Sequence, residues 1–184
     1  MKPAPRMKEL PPCVEDGATF EENAHKKALH YSAFVDGPVF ADDSGICVDA
    51  LDGAPGVRSA RFAGPDADDA ANNQKLLAEL RLAEAAARGT ARRTLTSRAA
   101  HYVCVIALAQ RARILTVVEG RADGVIIDTP RGTGGFGYDP FFFYPPLGRT
   151  FAELSPHEKF AVSHRGEAFR KLLDYLGSKH QDAT

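Results

Sequence analysis

Two aspartates, Asp42 and Asp43, stand side by side after the apolar stretch that ends in Ala41, and a serine and a glycine follow them. A turn in which an aspartate side chain caps the end of the strand is the simplest structural interpretation. However, adjacent carboxylates repel each other, and burying them is costly. Two carboxylates at a strand end can also hold a hard cation such as Mg²⁺, or one can deprotonate an attacking water. Both interpretations stay open at this point.

A glycine-rich segment, RGTGGFGYDP at residues 131–140, is the second candidate site. Its glycines match the GxGxxG pattern, but Pro140 and a run of phenylalanines follow where a dinucleotide site needs a helix. We therefore exclude a Rossmann site. The remaining interpretations are a plain turn between strands, or a loop that displays Phe136, Tyr138 and Asp139 for stacking on a flat ring and hydrogen-bonding its edge.

The third candidate is EKFAVSHRGEAF at residues 158–169. Ser163 is the predicted N-cap of the last helix, so His164 and Arg165 fall in its first turn, where backbone N–H groups favour an anion or a carbonyl oxygen. Cations at this end oppose the helix dipole, which indicates a role beyond helix formation. Lys159 can converge on the same place. A solvated basic helix start is the alternative.

Several helices must position these residues. Thr19 and Glu22 form the sequence pattern of a capping box, and an apolar helical face follows them. The last helix places its leucines on one face and is predicted to stop at Gly177. Further helical signals are the periodic stretch 66–87 and a second capping box at Ser155–Glu158.

Extended segments alternate with these helices, which predicts an α/β domain without internal repeats. The first is PVFADD, followed by a turn and a second extended piece, GICVDAL. Later β-rich runs are separated by turn-length breaks and predict hairpin or meander pairing. They are AHYVCVIALA, RILTVVEG, ADGVIID and PFFFYPP.

The composition predicts one globular domain: 184 residues, 44% hydrophobic and 26% charged. A net charge of −1 gives no electrostatic reason to expect nucleic-acid or membrane partners. Three widely spaced cysteines (Cys13, Cys47 and Cys104) indicate neither a disulfide framework nor a zinc site, and fit a reducing cytoplasm. The sequence has no membrane-length apolar run. The arginines of the stretch after the second helix, Arg88, Arg92, Arg93 and Arg98, are expected in a solvated surface loop.

The ordered motifs DGATFEENA, ADDSGICVDALDGAPGVRSARFAG, NNQKLL, GTGGFGYDPFF and TFAELSPHEKFAVSHRG together resemble the Ham1 family, the inosine/xanthosine triphosphate pyrophosphatases (ITPases). The resemblance runs from about Cys13 to about Leu176. It implies hydrolysis of the non-canonical purine nucleotides ITP, dITP and XTP to the monophosphate and pyrophosphate, with Mg²⁺. It also implies an elongated, two-lobed α/β fold with a central mixed twisted sheet flanked by helices, and a homodimer.

The resemblance assigns roles to residues at matching positions. Asp43 corresponds to the catalytic base and metal-linked acid, with Asp42 beside it in support, and Glu15 lies in the segment that supplies a second metal carboxylate. The substrate-contacting positions implied by the resemblance are Ser44, Phe136, Gly137, Tyr138, Asp139, Lys159, His164 and Arg165.

One departure concerns the amino terminus, because family members begin with a strand and an SGNxxK-like phosphate loop that this sequence lacks. The expected organisation is an N-terminal remnant at 1–12, one ITPase-like domain at 13–177 without its first strand, and a tail at 178–184. A longer native protein with a misassigned start explains the departure. The alternative is a truncated relative that binds nucleotides with little catalysis.

Two other function classes compete with this interpretation. A Maf-type nucleotide pyrophosphatase would share the chemistry, but the FGYD and SHRG segments favour the Ham1 family. A structural interaction protein gives no reason for Asp43, Asp139, His164 and Arg165 at the ends of predicted elements.

Overall fold

The computed structural model describes residues 10–87 and 98–181, and it has the expected α/β architecture. The elements relevant to the site are four helices and five strands within these ranges. The helices are α1 (Phe20–Ser32), α2 (Asp69–Ala87), α3 (Pro156–Val162) and α4 (His164–Gln181). The strands are β1 (Val39–Val48), β2 (Ala99–Gln110), β3 (Arg113–Ile126), β4 (Phe142–Tyr144) and β5 (Arg149–Thr150).

The described strands form one sheet in the order β1-β2-β3-β4-β5, and every neighbouring pair is antiparallel. The prediction of a mixed sheet is therefore wrong for this part of the chain. The cause is visible between β2 and β3, where only Arg111 and Ala112 connect the strands, both with positive φ. A two-residue connection of this kind makes a tight hairpin, and a parallel pair would need a long crossover.

The aspartate pair lies in the middle of β1 rather than at a strand end, so the predicted turn is wrong. Ser44 pairs with Cys104 and Gly45 with Val103, in unbroken register with the preceding residues. Hydrogen bonding to β2 thus carries the chain straight through the polar segment. Successive side chains of a strand point to opposite faces, which separates Asp42 from Asp43.

Helices pack on both faces of the sheet, and buried side chains between each helix and the sheet form the core. Ala24 and Ala28 of α1 pack against Val105 and its neighbours on one face. Ala168 and Leu172 of α4 are fully buried on the other face, in a cluster with Cys104, Ile106 and Leu108. Alternate residues of β2 therefore serve opposite cores, and β1 beside it has one face toward α1 and one toward α4.

The predicted starts of α1 and α3 are confirmed, but one predicted end is not. Thr19 caps α1, accepting a hydrogen bond from Glu22 N at 3.1 Å, and Ser155 caps α3 with a complete capping box. Gly177 does not stop the last helix, which continues to Gln181, because glycine within a packed helix costs only about 1 kcal/mol.

The remaining differences concern β3 and the arginine-rich stretch. The segments RILTVVEG and ADGVIID form the single strand β3, since pairing with β2 spans the predicted break. Arg88, Arg92 and Arg93 lie outside the described residues, whereas Arg98 is partly buried and pairs with Glu84 at 2.6 Å. No helix in the described ranges is long and apolar enough to span a membrane.

Candidate active site

A lysine of α1 joins two carboxylates on the α1 face of the sheet. Lys27 Nζ lies 2.9 Å from Asp43 Oδ1 and 2.9 Å from Glu15 Oε2. Asn23, one helical turn earlier, donates to Asp43 Oδ2 at 3.2 Å. The Lys27 and Asp43 side chains are only 14% and 13% exposed. The site therefore holds a mostly buried carboxylate whose charge is balanced by one ammonium group.

Burial alone would lower the pKa of Lys27, but the hydrogen bonds that its ammonium group donates to Asp43 and Glu15 outweigh burial, so the pKa is raised. Lys27 is thus a fixed positive charge at neutral pH. Magnesium is usually bound through one or two carboxylates together with substrate phosphates. Asp43 and Glu15 fit this donor set, although the described residues contain no cluster of three or more metal-ligating side chains.

The other aspartate belongs to the α4 face. Arg165 NH2 lies 3.4 Å from Asp42 Oδ2 and donates to Ser44 Oγ at 2.8 Å. Asp42 also lies 4.0 Å from the buried thiol of Cys104. The hypothesis that Asp42 and Asp43 share one Mg²⁺ is therefore wrong, because the strand directs their carboxylates to opposite faces. Asp42 instead orients the guanidinium group of Arg165.

A cavity of about 180 Å³ lies beside Ser44, and Gly45 and Ser59 also line it. It is smaller than the roughly 300–1,000 Å³ of pockets that enclose drug-sized ligands, so it fits one flat ring rather than a whole nucleotide. Its lining includes all eight predicted substrate-contacting residues: Ser44, Phe136, Gly137, Tyr138, Asp139, Lys159, His164 and Arg165.

The glycine-rich segment contributes to the cavity differently from the prediction. Phe136 is 60% exposed, as expected for a side chain available for stacking. Tyr138 and Asp139 are buried, at 4% and 2% exposure, so they are not displayed on the loop. The Tyr138 hydroxyl donates to Ser59 O at 2.8 Å, and Asp139 forms an ion pair with Lys159. These two side chains therefore hold the loop against the cavity wall.

Two cations flank the exposed ring of Phe136. Lys159 Nζ lies 4.8 Å from the ring centroid and the Arg165 guanidinium carbon 5.4 Å from it. Cations over an aromatic face are attracted to its negative quadrupole. Lys159 and Arg165 thus border the cavity from one side and supply several N–H donors to it.

His164 forms a further wall of the cavity. Its ring stacks on Tyr102 with a centroid distance of 4.6 Å and an interplanar angle of 6°. Burial, with help from Arg165 and Lys159, lowers the pKa of His164 to about 3, so the imidazole is neutral at physiological pH. Within the described residues, its buried Nδ1 has no hydrogen-bond partner.

The sequence interpretation missed Lys27, Asn23 and Tyr102. Asn23 and Lys27 are four residues apart and lie beside the predicted apolar face of α1, so the helical spacing could have indicated their common direction. No signal in the sequence identified Asp43 as their partner, because the contact joins two different elements.

Comparison with known proteins agrees with these features. The sequence profile of the Ham1 family matches residues 1–175. The dITP/XTP pyrophosphatase of Syntrophobacter fumaroxidans is 52% identical over 163 residues, which cover 89% of this chain and 65% of the relative. The enzyme of the same name from Geobacter sulfurreducens is 50% identical, covering 92% of this chain and 80% of its own length.

A solved structure shares the architecture. The HAM1 protein from Coxiella burnetii superposes with a TM-score of 0.82 at 42% identity, covering 92% of this chain and 82% of that protein. This chain thus spans about two thirds of the first relative's length and more of the others'. Sequence and fold agree: the chain belongs to the Ham1 family.

Proposed function

We propose that this protein hydrolyses the non-canonical purine nucleoside triphosphates ITP, dITP and XTP to the nucleoside monophosphate and pyrophosphate. The observation that carries the proposal is a base-sized cavity and a lysine-balanced carboxylate, Asp43, brought together on one strand, β1. Ser44 lines the cavity, and Asp43 precedes it in the same strand. The activity named for the relatives supports the same reaction.

The purine ring occupies the cavity, with one face against Phe136. Inosine and xanthine carry an oxygen at position 6, which accepts hydrogen bonds, whereas adenine carries an amino group there, which donates. Arg165 is a pure donor, and neutral His164 supplies one N–H. Adenine would offer these donors no acceptor at position 6, and such a mismatch is a source of selectivity.

The phosphates extend from the cavity along β1 toward the α1 face. There Asp43 accepts a proton from the water that attacks the α-phosphorus, and pyrophosphate leaves. Lys27, held between Asp43 and Glu15, orients the base and attracts the phosphate charge. Asn23 fixes the second oxygen of Asp43, so that the carboxylate has one orientation.

Magnesium is the proposed cofactor, with Asp43 and Glu15 as its protein ligands. When bound, it neutralises phosphate charge and favours departure of pyrophosphate. We also propose a homodimer in the cytoplasm. The dimer rests on the family resemblance, and the cytoplasm on the three widely spaced cysteines (Cys13, Cys47 and Cys104), which form no disulfide framework.

The test is release of pyrophosphate from ITP, dITP and XTP in the presence of Mg²⁺, with ATP as the control. We expect release from the first three and much slower release from ATP, because adenine lacks the 6-oxygen. Calorimetry with ITP and Mg²⁺ runs in parallel. Binding of ITP without pyrophosphate release would contradict the enzymatic proposal and indicate a nucleotide-binding protein.

A further inference from the structure

Two side chains of α2, one helical turn apart, hold the peptide groups of one loop residue, Gly137. Gly137 N donates to Asp69 Oδ2 at 2.6 Å, and Asn73 Nδ2 donates to Gly137 O at 2.8 Å. Gly137 has a φ of 62°, which glycine adopts without strain. Both backbone hydrogen-bonding groups of this residue are therefore satisfied by side chains of a single helix.

The neighbouring Phe136 depends on this backbone contact for its position. Its side chain is 60% exposed, so core packing does not fix the ring. On its other side the backbone is held by Asp139, whose Oδ2 accepts from Phe136 N at 2.9 Å. The ring is thus carried by a short stretch of chain with one anchor from within the loop and one from α2.

We infer that Asp69 and Asn73 are positioning residues that hold Phe136 over the base cavity. The inference rests on the proposed function, because it takes the ligand of the cavity to be a purine base. Asp69 is the first residue of α2, where the helix dipole favours a negative charge. Its carboxylate oxygen accepts the hydrogen bond from Gly137 N. Asn73 is 7% exposed, and its Nδ2 bridges the Asp69 carbonyl and the Gly137 carbonyl. The helix and the loop are joined by the same two side chains.

The kinetic test compares Asp69→Ala with Asp69→Asn. The amide oxygen of asparagine still accepts from Gly137 N, whereas alanine removes the acceptor. We expect Asp69→Ala to raise the KM for ITP about five- to tenfold, the range for one lost hydrogen bond, with kcat changed less than about twofold. Asp69→Asn should stay close to the parent. We expect KM to change more than kcat because Asp43 and Lys27 lie on the α1 side of β1, away from the contact of Asp69 with the loop.

A second readout does not depend on turnover. The chain contains no tryptophan, so Phe136→Trp places a single tryptophan on the loop, whose emission is excited apart from that of the tyrosines. In this background, Asp69→Ala and Asn73→Ala should each increase acrylamide quenching about twofold, and Asp69→Asn should not. Asp68→Ala is the matched control, because Asp68 Oδ1 accepts from Ala71 N at the start of α2 and does not contact the loop.

The two readouts separate the inference from the proposed function. If quenching rises in Asp69→Ala but the protein hydrolyses no purine triphosphate, the proposed function is refuted, while the contact of Asp69 and Asn73 with the loop is supported. Unchanged quenching would overturn the role of this contact, whatever the kinetics. Increased quenching with an unchanged KM in an active enzyme would overturn the positioning role.

Discussion

Replacing Lys27 with methionine removes the ammonium group that joins Asp43 to Glu15 and keeps most of the apolar stem. In the variant, Asp43 retains only the hydrogen bond from Asn23 among the side-chain contacts described. A mostly buried carboxylate is then left without a balancing charge. We expect the native state to lose stability and the carboxylate to lose its fixed orientation.

The expected size follows from the burial of the pair. Removing one partner of a fully buried ion pair costs about 3–5 kcal/mol. Lys27 and Asp43 are 14% and 13% exposed, so some hydration of Asp43 is possible, and we expect a loss of about 2–3 kcal/mol. Glu15 is 41% exposed and is hydrated once Lys27 is gone, so it adds little to the loss.

The assay is urea unfolding at pH 7 of the parent, Lys27→Met, Asp43→Asn and the double variant. Asparagine at 43 removes the unpaired charge, so the double variant should be more stable than the sum of the single effects predicts, by at least about 1 kcal/mol. Lys26→Met is the control, because Lys26 pairs with Asp16 on the exposed side of the same helix. Additive single effects, or equal losses from Lys26→Met and Lys27→Met, would refute the reasoning.

Three further perturbations test other parts of the account. Arg165→Ala should lower the ratio of ITP to ATP turnover at least about tenfold, because it removes the donors proposed for the 6-oxygen. His164 should make unfolding pH-dependent: below about pH 6.5 the unfolded chain binds a proton that the folded state binds only near pH 3, so stability falls by up to about 1.4 kcal/mol per pH unit between these values. His164→Gln should show a shallower decrease in urea titrations over this range. Gly45→Ala should destabilise by about 3 kcal/mol, since a Cβ there would lie 2.4 Å from Ser59 Oγ and 2.6 Å from Gly56 O.

Each of these has a control or a contrary outcome. Arg170→Ala changes an arginine of the same helix that donates to Phe160 O, and should leave the ITP to ATP ratio unchanged. Equal pH slopes for the parent and His164→Gln would contradict a neutral buried imidazole. Gly37→Ala introduces a Cβ with no atom within 4 Å, so a loss as large as that of Gly45→Ala would contradict the steric explanation.

Features that depend on neighbouring residues could be predicted from the sequence. The capping boxes at Thr19 and Ser155 involve residues three positions apart, and both helices begin where these patterns indicate. The N-cap role of Ser163 belongs to the same class, since its Oγ accepts from Gly166 N at 3.2 Å. The position of His164 and Arg165 at the start of α4 followed directly.

Features that depend on partners distant in the sequence could not be predicted. The predicted turn at Asp42 and Asp43 assumed that two acids end a strand, whereas pairing with β2, some sixty residues later, extends the strand through them. A continuous strand would have predicted that the two carboxylates face opposite ways. The burial of Tyr138 and Asp139 has the same origin, because Ser59 and Lys159 are remote in sequence.

We propose that Asp43, and not Asp42, is the catalytic base, because Asp43 lies on the α1 face of β1 with Lys27 and Glu15, whereas Asp42 pairs with Arg165. The most direct measurement is the kcat for pyrophosphate release from ITP with saturating Mg²⁺, in Asp43→Asn and in Asp42→Asn. We expect Asp43→Asn to lower kcat about 10²- to 10⁴-fold, the contribution of a positioned general base. Asp42→Asn should affect mainly the KM, through Arg165. Equal losses of kcat in both variants, or none in Asp43→Asn, would contradict the account.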